Sequence, residues 1–204
     1  MSFKSKLGQA VLPAVVLASL ALPALAHPGH PGGEPVAAGF TAGFTHPFGG
    51  FDHLMAMLAV GLWAIQQSGQ TPRALWLLPA SFVVAMAGGF VLGLAQVALP
   101  GVEAGIALSV LLLGLIVAFA VRPPLPAAMA VTALFAVFHG HAHGTELGDA
   151  SQAVTYALGM VLATALLHGL GLAAARLAQH VALPALTRAA GAAVALAGIV
   201  ILVG

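Results

Sequence analysis

The sequence predicts an all-α membrane protein in which a cleaved N-terminal signal peptide precedes a compact bundle of six transmembrane helices. Of its 204 residues, 61% are hydrophobic and only 5% are charged, whereas a soluble domain has about 25% charged residues. The mean hydropathy is +1.07. Six apolar segments follow one another with short linkers, and each is near the roughly 20 residues that span a bilayer. These segments cover residues 47–65, 74–95, 102–121, 126–143, 153–175 and 184–204.

Composition also limits the chemistry. A net charge of +1 offers no basis for binding nucleic acid, and the absence of cysteine excludes disulfides, thiolate metal sites and thiol catalysis. Nine histidines stand against only six Lys and Arg and five Asp and Glu. Histidine therefore outnumbers both the basic and the acidic residues, and its chemistry is metal ligation or proton transfer near neutral pH.

Residues 1–26 have the pattern of a secretory signal. Lys4 and Lys6 form a positive start, an apolar stretch follows, and residues 24–26 (Ala-Leu-Ala) form a small-x-small cleavage site. We expect cleavage after Ala26. The alternative is an uncleaved first helix.

Residues 27–45 are predicted to be an extracytoplasmic segment, ahead of a transmembrane domain at residues 46–204. The density of Gly and Pro in this segment argues against a helix. After cleavage, His27 would offer an α-amine and an imidazole, with His30 three residues later. Such a tail could capture a divalent cation weakly. The alternative is a solvated tail without a metal.

The arginines predict the orientation. A cleaved signal places the N-terminus outside the cytoplasm, and six crossings then put every arginine-bearing linker on the cytoplasmic side, as the positive-inside rule requires. The arginines in these linkers are Arg73, Arg122, Arg176 and Arg188. The expected location is a bacterial inner membrane, crossed several times.

The first apolar segment contains ionisable residues, which are costly in hydrocarbon and mark a functional site by default. If its helix begins near Pro47, His46 and His53 lie almost two turns apart on nearly the same stripe. Asp52 precedes His53 directly. It could bind a metal itself or orient His53 as a hydrogen-bond acceptor. A purely structural acceptor is the remaining alternative.

The fourth segment ends in a dense set of nitrogen and oxygen ligands. His139 and His143 are four residues apart and share a helix face, while His141 lies between them. Glu146 would extend that face if the helix continued, although Gly144 favours an ending there. A loop-end cluster without function is the alternative.

The fifth segment adds a deeper histidine. His168 would lie about 22 Å along a helix that begins near Ala153. Ionisable groups would then occur at several depths, as a pathway needs. The alternative is a buried histidine that hydrogen-bonds to a neighbouring helix.

Imidazole and carboxylate without thiolate suit borderline divalent metals. We expect no permanent cofactor and no enzymatic activity, but transport of a divalent ion such as Ni²⁺, Co²⁺ or Zn²⁺. A membrane metalloenzyme is one alternative, although HExxH is absent. A metal-binding accessory protein without transport is another.

Four motifs carry a resemblance to a known family: HPGH, HPFGGFDHLMAMLAVG, FHGHAHGTE and TALLHGLG. Together they resemble the HupE/UreJ family of nickel permeases, from the signal to the last helix. The resemblance implies entry of nickel, or sometimes cobalt, into the cytoplasm through six helices. Its implied partners are the bilayer and the metal ion, with a homo-oligomer or metallochaperone contact as a further expectation. The residues that it marks are His46, Asp52, His53, His139, His141, His143 and Glu146 for transport, and His27 and His30 for capture.

Overall fold

The computed structural model describes residues 39–147 and 150–204, and within these ranges the chain forms seven α-helices and one 3-10 turn. The helices are α1 Phe40–Gly49, α2 Phe51–Ser68, α3 Ala74–Leu94, α4 Val102–Ala118, α5 Leu125–Glu146, α6 Ala153–His180 and α7 Pro184–Val203. The 3-10 turn, Ala150–Gln152, leads into α6. The described chain contains no strand, which agrees with the predicted all-α class.

The N-terminal predictions are only partly covered by these residues. Those outside the described ranges concern the signal peptide, its cleavage after Ala26, and metal capture by His27 and His30. The prediction that residues 27–45 cannot form a helix is wrong for their last six residues, because α1 begins at Phe40. Six of the Gly and Pro residues lie before residue 36, and the apolar stretch that follows is free to pack as a helix.

The first predicted span is two helices instead of one. The chain bends by 85° between α1 and α2, at an extended Gly50 with φ −93° and ψ 115°. Pro47 lies inside α1 and not at the first position of a helix. The prediction that His46 and His53 share one helical stripe is therefore wrong. Consecutive glycines have low helix propensity, and a proline two residues before them removes a backbone donor, so the break occurs here.

α1 packs across the beginning of α6. A Cβ atom on Gly43 would overlap the backbone carbonyl of Tyr156, and one on Gly159 would overlap that of Phe40. Small residues at both points let the two backbones approach closely, as is common between membrane helices. This packing holds α1, and with it His46, beside the main bundle.

Four helices of the described chain are long and apolar enough to cross a membrane: α3, α5, α6 with its preceding turn, and α7. The bent pair α1–α2 would make a fifth. α4 is equally apolar but has only 17 residues. The protein is thus a multi-pass helical membrane protein, whereas six crossings stay a prediction.

The helices pack chiefly as pairs, α3 with α5 and α4 with α7, around a largely buried α2. The bundle has two chemically different ends. We call one the histidine end, where α2 begins and α5 finishes. We call the other the arginine end. Its arginines adjoin the start of α3, the end of α4, the end of α6 and the start of α7, and they are Arg73, Arg122, Arg176 and Arg188.

Candidate metal site

Four histidines from three helices form a continuous row of imidazoles at the histidine end. The ring centroids are 4.7 Å apart between His46 and His143, 4.5 Å between His143 and His53, and 4.7 Å between His53 and His139. The row begins at the His46 side chain, which is 32% exposed, and ends at His139, which is fully buried. We call this set the imidazole row. It connects the surface of the bundle with its interior.

The bend between α1 and α2 shapes the outer part of the row. His46 lies beside His143 of α5, and its ring centroid is 6.2 Å from that of His53. α5 supplies His139, His143 and Glu146 from one face, because they are spaced by four and three residues. The helix continues through Gly144, contrary to the expected ending. That glycine packs tightly on the backbone carbonyl of Phe90, where a Cβ would not fit.

A candidate three-ligand site occupies the exposed end of the row. One ligand atom each from His46, His143 and Glu146 can be chosen so that all lie within 4.8 Å of one another. The Nε2 atom of His46 lies 3.3 Å from Oε2 of Glu146. Ligand atoms on one divalent ion at about 2.1 Å are at most about 4.2 Å apart. Three such atoms on one ion are at most about 3.6 Å from one another on average, so the three groups would need to move together by up to about an ångström.

Asp52 orients His53 from the first turn of α2. Its Oδ1 atom lies 2.7 Å from Nδ1 of His53 and 2.7 Å from the backbone nitrogen of the same residue. A carboxylate acceptor requires the proton on Nδ1, so Nε2 keeps its lone pair. Gly50 makes room for the pair, because a Cβ there would lie 2.9 Å from both partner atoms. The positive end of the helix dipole favours the carboxylate.

Ser109 of α4 orients His139 in a similar way. Its hydroxyl donates to the carbonyl of Ile106 at 2.6 Å, so its oxygen accepts a hydrogen bond from Nε2 of His139 at 2.8 Å. The lone pair of His139 therefore lies on Nδ1. Ser109 is not among the residues predicted from the sequence. The signal was present, because Ser109 is the one hydroxyl side chain in α4, which is otherwise apolar beyond Glu103 in its first turn.

Several ring nitrogens in the row are buried without a hydrogen-bond partner among the described residues. They are Nε2 of His53, Nδ1 of His139, and both nitrogens of His143. Each such atom costs about 1–3 kcal/mol relative to a satisfied one. Unpartnered polar atoms on neighbouring buried rings are typical of a site for an ion or another polar ligand.

The remaining predicted ligands lie apart from the row. His141 faces another direction on α5, and its Nε2 donates to the carbonyl of Val97 at 2.7 Å, just beyond α3. It therefore ties two helix ends together. His168 is 1% exposed and lies deeper, and the ring of Phe82 contacts both its ring and that of His139. The site predicted from sequence thus divides into a row, a tie between helices and a deeper histidine.

The arrangement offers a borderline divalent ion a succession of nitrogen ligands and one carboxylate. Imidazole nitrogen suits nickel, cobalt and zinc, and no thiolate competes. Adjacent rings are close enough for an ion to be held by two of them. The same row therefore provides several overlapping ligand sets, instead of one closed cage.

The chain is similar to known proteins of one family. The profile of the HupE / UreJ protein family matches residues 15–201. A curated relative from Rhizobium leguminosarum bv. viciae, Protein HupE, is 50% identical over 188 residues, which cover 92% of this chain and 95% of the relative. No solved structure matches the chain.

Proposed function

The chain belongs to the HupE/UreJ family, and from this premise we propose that it is a permease for a divalent transition-metal ion. The preferred ion is Ni²⁺, with Co²⁺ next and Zn²⁺ behind, and the direction is into the cytoplasm. The observation that carries the proposal is the imidazole row, which leads from the partly exposed His46 to the fully buried His139. We propose no resident cofactor and no catalytic role.

Transport requires that an ion bind well enough to enter and weakly enough to leave, which favours several neighbouring sites over one tight site. The row meets this requirement. Its rings are 4.5–4.7 Å apart, and each of its three buried members has a nitrogen with no partner among the described residues. An ion held between two rings can therefore reach the next ring by a short displacement.

The histidine end is proposed to face outside the cytoplasm. Arginines favour the cytoplasmic side of a membrane, and in the described chain they all adjoin the opposite end of the bundle. α4 is proposed as the sixth crossing. Its 17 residues reach about 25 Å at 1.5 Å per residue, and it packs against the full-length span α7. His27 and His30 would then supply ions from the outer side of an inner membrane.

Two buried histidines of α5 provide a matched test. His143 belongs to the row, whereas His141 ties α5 to Val97. At limiting labelled nickel, His143→Ala is expected to lower cellular uptake at least about ten-fold, because it removes the ring that joins both halves of the row.

The control is His141→Gln, which keeps a donor for Val97 and should leave uptake within about two-fold of the parent chain. Uptake is compared at equal amounts of protein in the membrane. Equal uptake by His143→Ala and the parent chain would contradict the proposed pathway.

A further inference from the structure

One aromatic ring contacts both the imidazole row and the deeper histidine. The centroid of Phe82 is 5.8 Å from that of His139 and 5.1 Å from that of His168. The Phe82 and His168 rings meet edge to face, at 87°. Phe82 and His139 have no exposed surface, and His168 is only 1% exposed. Phe82 is thus a buried ring in contact with two buried imidazoles.

A hydrogen bond to a neighbouring helix does not account for the burial of His168. Neither of its ring nitrogens has a partner within the described part of the chain. Its backbone carbonyl lies against Gly61 of α2, about 15 Å from the start of that helix at 1.5 Å per residue. A buried imidazole at this depth can offer a nitrogen lone pair to an ion.

The groups beside this ring are also suited to a cation. Thr164 precedes His168 by one turn of α6, and Met86 follows Phe82 by one turn of α3. The hydroxyl of Thr164 lies 3.7 Å from the sulfur of Met86. A hydroxyl oxygen and a thioether sulfur thus lie one helical turn from His168 and from Phe82, respectively.

We propose that His168 forms a second ion-binding site, which we call the station, and that the Phe82 ring is the barrier between this site and the imidazole row. The inference rests on the proposed permease function and adds the barrier to it. A hydrophobic constriction excludes water and hydrated ions, while the face of an aromatic ring attracts a cation that has lost water. Rotation of the ring would let an ion pass from His139 to His168.

Phe90 shows what an ordinary buried phenylalanine of the same helix does. It lies eight residues after Phe82, is 3% exposed, and stacks on Tyr156 at 5.9 Å and 9°. Truncation of Phe90 removes the same volume from α3 as truncation of Phe82. It therefore serves as the matched control for loss of packing.

The absence of native cysteine allows a test that does not depend on nickel flux. His168→Cys introduces a single thiol below the barrier. Spheroplasts are exposed to external Ag⁺, and the thiols that remain free are alkylated after denaturation. With Phe82 intact, we expect Ag⁺ to protect the thiol from alkylation slowly. With Phe82→Ala, this protection should be at least about ten-fold faster, because the constriction is removed.

Phe90→Ala in the same His168→Cys chain should leave the rate of thiol protection by Ag⁺ within about two-fold of the rate in the chain that carries His168→Cys alone. Equal rates in the Phe82→Ala and Phe90→Ala chains would overturn the barrier, as would rapid protection while Phe82 is intact. The milder pair Phe82→Leu and Phe90→Leu gives the same comparison if either alanine variant fails to accumulate in the membrane.

A flux measurement tests the station. His168→Ala is expected to lower nickel uptake about ten-fold while nickel binding by the purified protein at the row is retained. Uptake equal to that of the parent chain would overturn the station. If the parent chain itself carries no nickel, the permease function and the station fail together, whereas the Ag⁺ rates still decide whether Phe82 closes the route.

Discussion

At the scale of single residues, Asp52 and Ser109 decide which nitrogen of a neighbouring histidine is available to an ion. Asp52 accepts from Nδ1 of His53, and Ser109 accepts from Nε2 of His139. The two rings therefore offer opposite nitrogens. Metal-binding histidines are commonly held in this manner, with a carboxylate or another acceptor on the far nitrogen. This contact is the basis on which we propose that Asp52 orients His53 and does not bind the ion directly.

Replacement of Asp52 by Asn tests that assignment. Asp52→Asn keeps the shape but removes the charge that holds the proton on Nδ1 of His53, so nickel binding by the purified protein should weaken about 10–100-fold. The measurement is titration calorimetry at constant pH.

Glu103→Gln is the control, because Glu103 is an exposed carboxylate in the first turn of α4, also at the histidine end. The nickel affinity of the Glu103→Gln protein should stay within about two-fold of that of the parent protein. An equal loss in both variants would indicate a general charge effect and contradict the orienting role.

Every histidine of the row could be predicted from the sequence, because ionisable groups are conspicuous in apolar helices. His141 could not be separated from its neighbours, since the carbonyl that it contacts is defined only by the packing of α5 beside α3. Phe82 was overlooked for a related reason. A phenylalanine in an apolar helix is ordinary until its neighbours are known to be imidazoles.

At the scale of helices, close approach of α3 and α5 determines where the α5 histidines lie. A Cβ on Gly89 would overlap the backbone carbonyl of Val137, whereas one on the adjacent Gly88 would meet nothing within 4 Å. This pair of glycines therefore separates the effect of helix contact from that of helix propensity.

We expect Gly89→Ala to lower the stability of the purified protein by about 1–3 kcal/mol, because overpacking forces the two backbones apart. Gly88→Ala should be neutral or stabilising by up to about 1 kcal/mol, because alanine favours the helix more than glycine does. Thermal unfolding in detergent gives both values. Equal midpoints in the two variants would show that the α3–α5 contact does not require glycine.

Element bounds were predicted well where an apolar segment is bounded by Pro, Gly or charge, as for α3 and α7. The break at Gly50 was missed, because the apolar character continues across it and suggests one span. The start of α1 was also missed. Its helix packs on α6, and this tertiary contact could not be derived from the local sequence.

At the scale of the whole molecule, composition and hydropathy were sufficient to predict a helical multi-pass membrane protein. Alternating chain direction puts the start of the first segment and the end of the fourth, with their histidines, at one end of the bundle. The bend that brings His46 against His143 required the three-dimensional structure. The proposed entrance is therefore formed by α1, α2 and α5.

The most direct test of the central claim is nickel entry into liposomes that contain only the purified protein and an entrapped nickel-sensitive dye. We predict saturable entry at least about ten-fold faster than in protein-free liposomes, with cobalt slower and zinc slowest. His53→Ala should abolish the increase, and His180→Ala, at an exposed histidine of the arginine end, should preserve it. Nickel that binds the protein but enters no faster than through lipid alone would contradict the account.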